Sequence, residues 1–165
     1  MTIRRCLPWP DPRLKTVATP VEAVTDEIRA HWVDMVDTMD AMPGYGLAGP
    51  QIGVMLRLAV VDCSAERGKA VLMANPEVLH ASGQMREHDE ASPNLPGVFA
   101  TVSRPRAVTV RFMNEAGEIE ERDFVHLWAT SVQHQIDHLN GKMYFDRLSK
   151  VKRDILLRRA RKVAS

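Results

Sequence analysis

QHQIDHLNG, residues 133–141, combines a helical spacing of two histidines with a helix end. His134 and His138 are four residues apart, so in a helix their rings stack on one face, a single turn apart. Two imidazoles in that arrangement can bind one metal ion. Asn140 and Gly141 form a common helix stop. Because histidines at this spacing also occur on ordinary helix surfaces, the pair alone does not establish a metal site.

Gln135 occupies the position directly after the first histidine. In zinc hydrolases this position is usually glutamate, which takes a proton from the metal-bound water and later returns it. The amide of Gln135 has the size of a carboxylate but no proton that titrates near neutral pH. It can therefore make hydrogen bonds where a carboxylate would lie, but it cannot act as a general base.

The segments around this helix predict an α+β fold. A capped apolar pattern predicts a helix over residues 25–42. The proline-rich first 20 residues are expected to be extended, and residues 87–97 are expected to form an acidic, turn-rich break between strands. Strands are predicted over residues 56–62, 70–74, 77–85, 98–102, 107–113 and up to about 125, and further helices over about 127–139 and 149–163. Antiparallel strands then pack around the central histidine-bearing helix, with N- and C-terminal helices beside them.

Composition narrows the class of protein. The 165 residues fit one domain, and a net charge of +1 excludes a generally basic nucleic-acid binder. Two cysteines, Cys6 and Cys63, cannot form a disulfide framework, which favours a reducing, cytoplasmic setting; Cys63 is expected to be a buried thiol. No apolar run approaches the roughly 20 residues that span a bilayer, so no membrane partner is expected.

Three motifs, in order, resemble those of the peptide deformylase family. GYGLAGPQIG (residues 44–53) is similar to the family's GxGxAAxQ, with Gly49 in place of the second alanine. EASPNLPG (residues 90–97) aligns with EGCLS and its flank, and QHQIDHLNG aligns with QHExDH. With the similar flanks at residues 9–21 and 143–149, the resemblance covers almost the whole chain. It implies the family's fold, iron or zinc, and removal of the formyl group from the N-terminal methionine of new bacterial proteins.

The resemblance also assigns roles to residues that match the motifs. It places metal-binding histidines at His134 and His138, and at Gln51 the glutamine that polarises the formyl oxygen. Gly46 belongs to the same site through the first motif. Three further residues are expected to support the metal ligands without binding the metal: Asp137, Glu90 and Arg104. Glu90 and Arg104 are expected to form a pair.

Four departures from the motifs fall on the chemistry. Gln135 replaces the general base, and Ser92 replaces the cysteine that is the third metal ligand. A neutral hydroxyl is a poor ligand for zinc or ferrous iron, whereas a thiolate is a good one. Pro93 replaces the leucine whose backbone N–H helps to hold the developing oxyanion, and proline has no N–H. Asn94 replaces serine, a milder change.

These departures predict a deformylase-like protein whose standard activity is lost or very low. Losing a general base costs about 10²–10⁴ in rate, and losing one oxyanion donor costs about 10²–10³. Such a chain can still bind formyl-methionyl or methionine-starting peptides, with no requirement for a bound metal. An alternative is an active metal-dependent amide hydrolase with a changed ligand set drawn from His88, Asp89 and Glu90; otherwise these three are expected on an acidic, solvated turn.

The C-terminal segment over about residues 149–163 is predicted to be a basic helix with an apolar side. One acid, Asp154, stands against seven cations: Lys150, Lys152, Arg153, Arg158, Arg159, Arg161 and Lys162. Such a helix can dock on RNA phosphates, and the resemblance implies the ribosome as partner. It can equally be a solvated helix that packs one face on the domain. A ribosome- or RNA-associated binding module is therefore a third hypothesis.

Overall fold

The computed structural model describes residues 2–164. The first long element, α1 (Asp26–Ala41), begins where Thr25 Oγ1 accepts a hydrogen bond from the backbone N–H of Ile28, 3.3 Å away. Asp26 and Glu27 lie in its first turn, where carboxylates interact favourably with the helix dipole. The apolar face is buried as predicted, and the helix over residues 25–42 is confirmed.

Within residues 2–164, seven strands form two sheets. Their bounds are β1 (Gly46–Ala48), β2 (Leu58–Val61), β3 (Val71–Ala81), β4 (Met85–Ser92), β5 (Leu95–Pro105), β6 (Ala107–Met113) and β7 (Ile119–Val125). Five of them form one antiparallel sheet in the order β1-β2-β3-β6-β7, and β4 pairs with β5 as a separate hairpin. The strands predicted over residues 70–74 and 77–85 are one strand, β3, which an irregularity at Asn75 interrupts without ending.

The expectation that residues 87–97 interrupt the strands is wrong. They contain the end of β4, a tight turn at Pro93 and Asn94, and the start of β5. Charged residues in this segment suggested a solvated turn, but alternation on a strand exposes Asp89 and buries Glu90. A smaller correction applies to the first 20 residues, where Pro12–Lys15 form a turn of 3₁₀ helix.

The helix α2 (His126–Leu139) lies between the five-stranded sheet and the β4–β5 hairpin. Its apolar residues, among them Val132 and Leu139, pack in one core cluster with the sheet residues Val61 and Phe112. The sides of the helix that carry the histidines therefore remain available to the hairpin. The predicted α+β arrangement around a central histidine-bearing helix is confirmed.

The last helix, α3 (Lys150–Ala164), packs on the hairpin through Leu156 and Ala160. A 3₁₀ turn, Tyr144–Arg147, connects it to the end of α2 and fills the space between them. Within residues 2–164, no helix is both long enough and apolar enough to cross a membrane.

Gly141, just after α2, is expected to tolerate no side chain. Its φ is +74°, and a Cβ there would lie 2.7 Å from the backbone oxygen of Lys15. Gly141→Ala should therefore lower the free energy of unfolding by about 1–3 kcal/mol, measured by urea denaturation. The matched control is Gly83→Ala, since nothing lies within 4 Å of that Cβ position; its effect should stay within about 0.5 kcal/mol. Equal effects of the two substitutions would contradict this reading.

Candidate active site

A cleft of about 530 Å³ opens between α2, the β4–β5 hairpin and the glycine-rich loop. Exposed apolar side chains such as Met42 and Tyr45 form what we call its rim, and its buried polar side chains, among them Gln51 and Glu90, form what we call its floor. The predicted residues that line it are Gly46, Gln51, Glu90, Ser92, Pro93, His134 and Gln135. The fold thus brings the three motifs together, although 36 and 35 residues separate them along the chain.

His134 and His138 face one another across one turn of α2. Their Nε2 atoms are 3.2 Å apart, and both rings are buried. Nδ1 of His134 lies 2.8 Å from Glu90 Oε1; when it donates to that carboxylate, the lone pair of the neutral ring is on Nε2. Burial, with a smaller contribution from the Arg104 guanidinium, holds the pKa of His138 well below its usual range, so this ring is neutral.

A buried chain of charges supports His134 from behind. Arg104, with no exposed surface, donates two hydrogen bonds to Glu90 (2.6 and 2.9 Å) and one to Asp137 (2.8 Å). Asp137 also accepts two hydrogen bonds from Arg147. Burial alone would raise the pKa of Glu90, but hydrogen bonds from His134 and Arg104 outweigh it and lower the pKa to about 2. Glu90 is thus an anion that fixes the orientation of the imidazole.

These buried charged side chains correct two details of what the sequence predicted. The carboxylate partner of His134 is Glu90, while Asp137 acts at one remove by binding Arg104. Glu90 does not lie on a solvated turn, since only 5% of it is exposed. The expected pair between Glu90 and Arg104 is present as a bidentate contact.

Asn94 organises the position where the motif would supply a thiolate. Its Oδ1 accepts a hydrogen bond from the Ser92 hydroxyl (3.0 Å) and another from Gln51 Nε2 (2.8 Å). Its Nδ2 donates to the backbone oxygens of Leu7 and Gln51. Gln51 Oε1 in turn accepts from the backbone N–H of Ala48, which fixes the orientation of the amide and leaves one N–H of Nε2 for a ligand.

The donor set fits a metal ion only in part. Two ligand nitrogens at about 2.0–2.1 Å from a tetrahedral ion lie about 3.3 Å apart, close to the separation of the two Nε2 atoms. The third position holds the Ser92 hydroxyl, whose proton is committed to Asn94. Across residues 2–164 no three side chains of the histidine, cysteine, aspartate or glutamate type are placed to hold a metal together. The residues present therefore do not fit the metal site that the resemblance implies.

The other candidates for a changed ligand set, His88 and Asp89, make no hydrogen bond or ion pair with His134 or His138. Half-buried His88 and exposed Asp89 line the cleft on β4, but Asp89 accepts a hydrogen bond from Thr101 Oγ1 across the hairpin (2.6 Å). Cys63 is half-buried, not fully buried as expected, and burial raises its pKa to about 12. None of these side chains belongs to the hydrogen-bonded floor of the cleft.

Gly46 leaves room for the side chains of α2. A Cβ at this position would lie 2.5 Å from Gln135 Nε2 and 2.6 Å from Ser131 Oγ. Ser131 is not free to move away, because its hydroxyl donates to the backbone oxygen of Tyr45 (2.9 Å). The glycine in the first motif and the glutamine in the third are therefore fitted to each other across the cleft.

Gly46→Ala is expected to push Gln135 out of its place. The overpacking should lower the free energy of unfolding by about 1–3 kcal/mol, as measured by urea denaturation. The control is again Gly83→Ala. Nothing lies within 4 Å of its Cβ position, and its φ is not positive, unlike that of Gly68. An unchanged midpoint for Gly46→Ala would mean that Gln135 is not tightly placed.

Sequence reasoning missed three contributors to this site. Asn94 in place of serine is a milder change by sequence, yet in the structure it joins the second motif to the first and to the N-terminal segment. Arg147 completes the buried charge chain, and the ring of Tyr144 stacks on His134 with 6.1 Å between centroids. Both lie in MYFDRLS, so the resemblance of that segment was the available signal. Pro93 lies, as expected, in the wall of the cleft, where it has no N–H to donate.

Comparison with known proteins finds relatives over nearly the whole chain. The family model described as polypeptide deformylase matches residues 3–154. A peptide deformylase of Afipia carboxidovorans is 42% identical over 99% of this chain and 97% of the relative. The crystal structure of a peptide deformylase from Legionella pneumophila superposes with a TM-score of 0.92 at 39% identity, covering 99% of this chain and 96% of that one. A complex of the Ehrlichia chaffeensis enzyme with actinonin gives 0.91 at 31% identity, with 98% of each chain covered. The chain therefore belongs to the peptide deformylase family.

Proposed function

We propose that this protein binds N-formylmethionyl peptides in the cleft and hydrolyses them at most very slowly. The family is metal-dependent and acts on nascent formyl-methionine peptides. The observation that carries the proposal is the state of the cleft floor. Gln51 is intact and held with a spare N–H, while the ligand position is a hydroxyl bound to Asn94 and the base position is an amide.

The residues assign the binding steps without any metal. The spare N–H of Gln51 Nε2 donates to the formyl oxygen of the ligand. The apolar rim, which includes Met42, Val98 and Leu127, suits a thioether side chain. Hydrolysis would need a base for the attacking water, and Gln135 cannot take a proton. A bound peptide therefore leaves the cleft with its formyl group intact.

Calorimetric titration with N-formyl-Met-Ala-Ser, followed by a formate assay on the same sample, tests this proposal. We expect binding, and formate release at least about 10²-fold below that of the Legionella pneumophila enzyme. Gln51→Leu, which removes the donor, should weaken binding about tenfold. Absence of binding would overturn the proposal, and formate release at the rate of the Legionella enzyme would establish instead an active hydrolase with a changed ligand set.

The basic surface of α3 favours a second candidate function, docking on RNA phosphates of the ribosome. Lys150 is paired with Asp154 and Arg153 with Asp146, but Lys152, Arg158, Arg159 and Arg161 lie on the exposed part of the helix. A cluster of exposed cations binds a polyanion by releasing its counterions. Peptide binding in the cleft and RNA docking on α3 are compatible, because α3 packs its apolar side on the hairpin while its cations lie on the exposed part of the helix.

Co-sedimentation with ribosomes tests the second function. Replacing Lys152, Arg158 and Arg159 with glutamine should reduce the bound fraction at low salt. Wild-type binding should also fall steeply, by about 10² or more in affinity, when the salt concentration rises from 50 to 200 mM. Association that does not depend on salt would contradict docking through phosphates.

A further inference from the structure

The side chain of Gln135 is a buried amide that makes no hydrogen bond to any of residues 2–164. Only 4% of the residue is exposed, and Oε1 is a fully buried acceptor without a partner. Leaving such an acceptor unsatisfied costs free energy, which is why buried polar groups are nearly always paired. An orphan acceptor in the lining of a cleft indicates a partner that arrives with the ligand.

Neighbouring polar residues of α2 contrast with Gln135. Two positions earlier, Gln133 Nε2 donates to the backbone oxygens of Pro105 and Ala129. Ser131 Oγ donates to the backbone oxygen of Tyr45. These two side chains are paired within the fold. Nδ1 of His138, on the same helix, is also buried without a partner among residues 2–164, but His138 does not line the cleft, whereas Gln135 does. Gln135 differs because it lies against Gly46 in the cleft lining, where no side chain from β1 reaches it.

We propose that Gln135 is a specificity-determining residue whose Oε1 accepts a hydrogen bond from the amide N–H of the bound formyl group. This inference rests on the proposed function. A formamide offers one acceptor, its carbonyl oxygen, and one donor, its N–H. Gln51 supplies the donor for the first, and Gln135 supplies the acceptor for the second. The general-base position of the family thereby becomes a recognition position.

The proposal predicts which ligands the cleft rejects. An analogue in which an oxygen replaces the N–H keeps the formyl carbonyl and the thioether side chain but has no donor. It also brings its own oxygen toward Oε1, so the acceptor stays unpaired. Sites that hydrogen-bond a ligand group discriminate strongly against analogues that lack it, because their buried polar atoms are then left without partners.

The test compares N-formyl-Met-Ala-Ser with its formyloxy analogue by competition binding. The wild-type protein should bind the formamide at least about tenfold more tightly than the formyloxy ligand. In Gln135→Met, which has similar length and no acceptor, this ratio should fall close to one. Gln135→Glu keeps an acceptor and should keep the preference, with mass spectrometry confirming that the formyl group of the recovered ligand is intact. Gln84→Met, on an exposed turn outside the cleft, should leave the ratio unchanged.

The role of Gln135 and the proposed function give different results in this experiment when either of them is wrong. If the wild-type protein binds both ligands equally well, or if Gln135→Met keeps the preference, the role of Gln135 is wrong and the proposed function stands. If neither ligand binds, the proposed function is wrong, and this inference falls with it. A thermal melt of each variant confirms that a changed ratio does not come from unfolding.

Discussion

A variant that carries Ser92→Cys, Pro93→Leu, Asn94→Ser and Gln135→Glu together is expected to release formate from N-formyl-Met-Ala-Ser at least about 10²-fold faster than the wild-type protein. The assay contains ferrous iron or zinc. The substitutions return a thiolate ligand, a backbone donor and a carboxylate base to a cleft whose two histidines already face each other. In hydrolases a general base contributes about 10²–10⁴ to the rate, and one oxyanion donor contributes about 10²–10³.

Single substitutions serve as the controls for this variant. Gln135→Glu alone should gain little, since a base has nothing to act on while the Ser92 hydroxyl occupies the third ligand position. Ser92→Cys alone should raise the metal content, measured by elemental analysis, with little gain in rate. Effects of residues that act as a unit are not additive, so the combined gain should exceed the product of the single gains. A wild-type rate equal to that of the combined variant would contradict the proposed loss of activity.

Asn94→Ser is expected to carry a cost of its own in that background. Asn94 makes four side-chain hydrogen bonds that join β4, the glycine-rich loop and the N-terminal segment. Serine is too short to reproduce them all, so the free energy of unfolding should fall by about 1–3 kcal/mol. A urea titration of Asn94→Ser measures this loss separately from the rate. No loss would mean that these contacts hold neither the loop nor Gln51.

The sequence predicted those parts of the fold that depend on local patterns. The spacing of Trp32, Met35 and Met39 predicted α1, and the hydrophobic period around His134 predicted α2. The β4–β5 hairpin was not predicted as such, because the buried positions of β4 are occupied by polar residues. Glu90 and Ser92 are buried there by tertiary partners. The resemblance predicted the pair between Glu90 and Arg104, but no local pattern indicated that this pair would be buried.

The site was predictable to the extent that motifs could be aligned. They identified Gln51, Ser92, His134 and Gln135, and the structure brings these together around one cleft. Which carboxylate supports which ring was not predictable, because Glu90 and Asp137 are equally plausible neighbours of His134 until the strands are placed. The role of Asn94 depends on the path of the N-terminal segment, which carries no periodic signal.

Arg104→Met is expected to lower the free energy of unfolding by about 3–5 kcal/mol. Among residues 2–164, no other replacement of a single buried charged residue should cost more. Arg104 has no exposed surface and lies between two carboxylates, Glu90 and Asp137. Without it Glu90 remains charged and buried, and among residues 2–164 the ring of His134 is its remaining side-chain hydrogen-bond partner. Urea denaturation measures the change, and Arg122→Met, which breaks an exposed pair with Glu120, should cost less than about 1 kcal/mol.

A double-mutant cycle separates the lost pair from lost packing. Glu90→Gln removes the charge that Arg104→Met strands, so the double variant should be more stable than the sum of the single effects predicts, by more than about 1 kcal/mol. Simple additivity would mean that Arg104 stabilises the fold through its aliphatic stem alone. The outcome bears on ligand binding as well. Glu90 fixes His134, so a coupled loss would show that a mutation remote from the cleft opening can disorder the cleft floor.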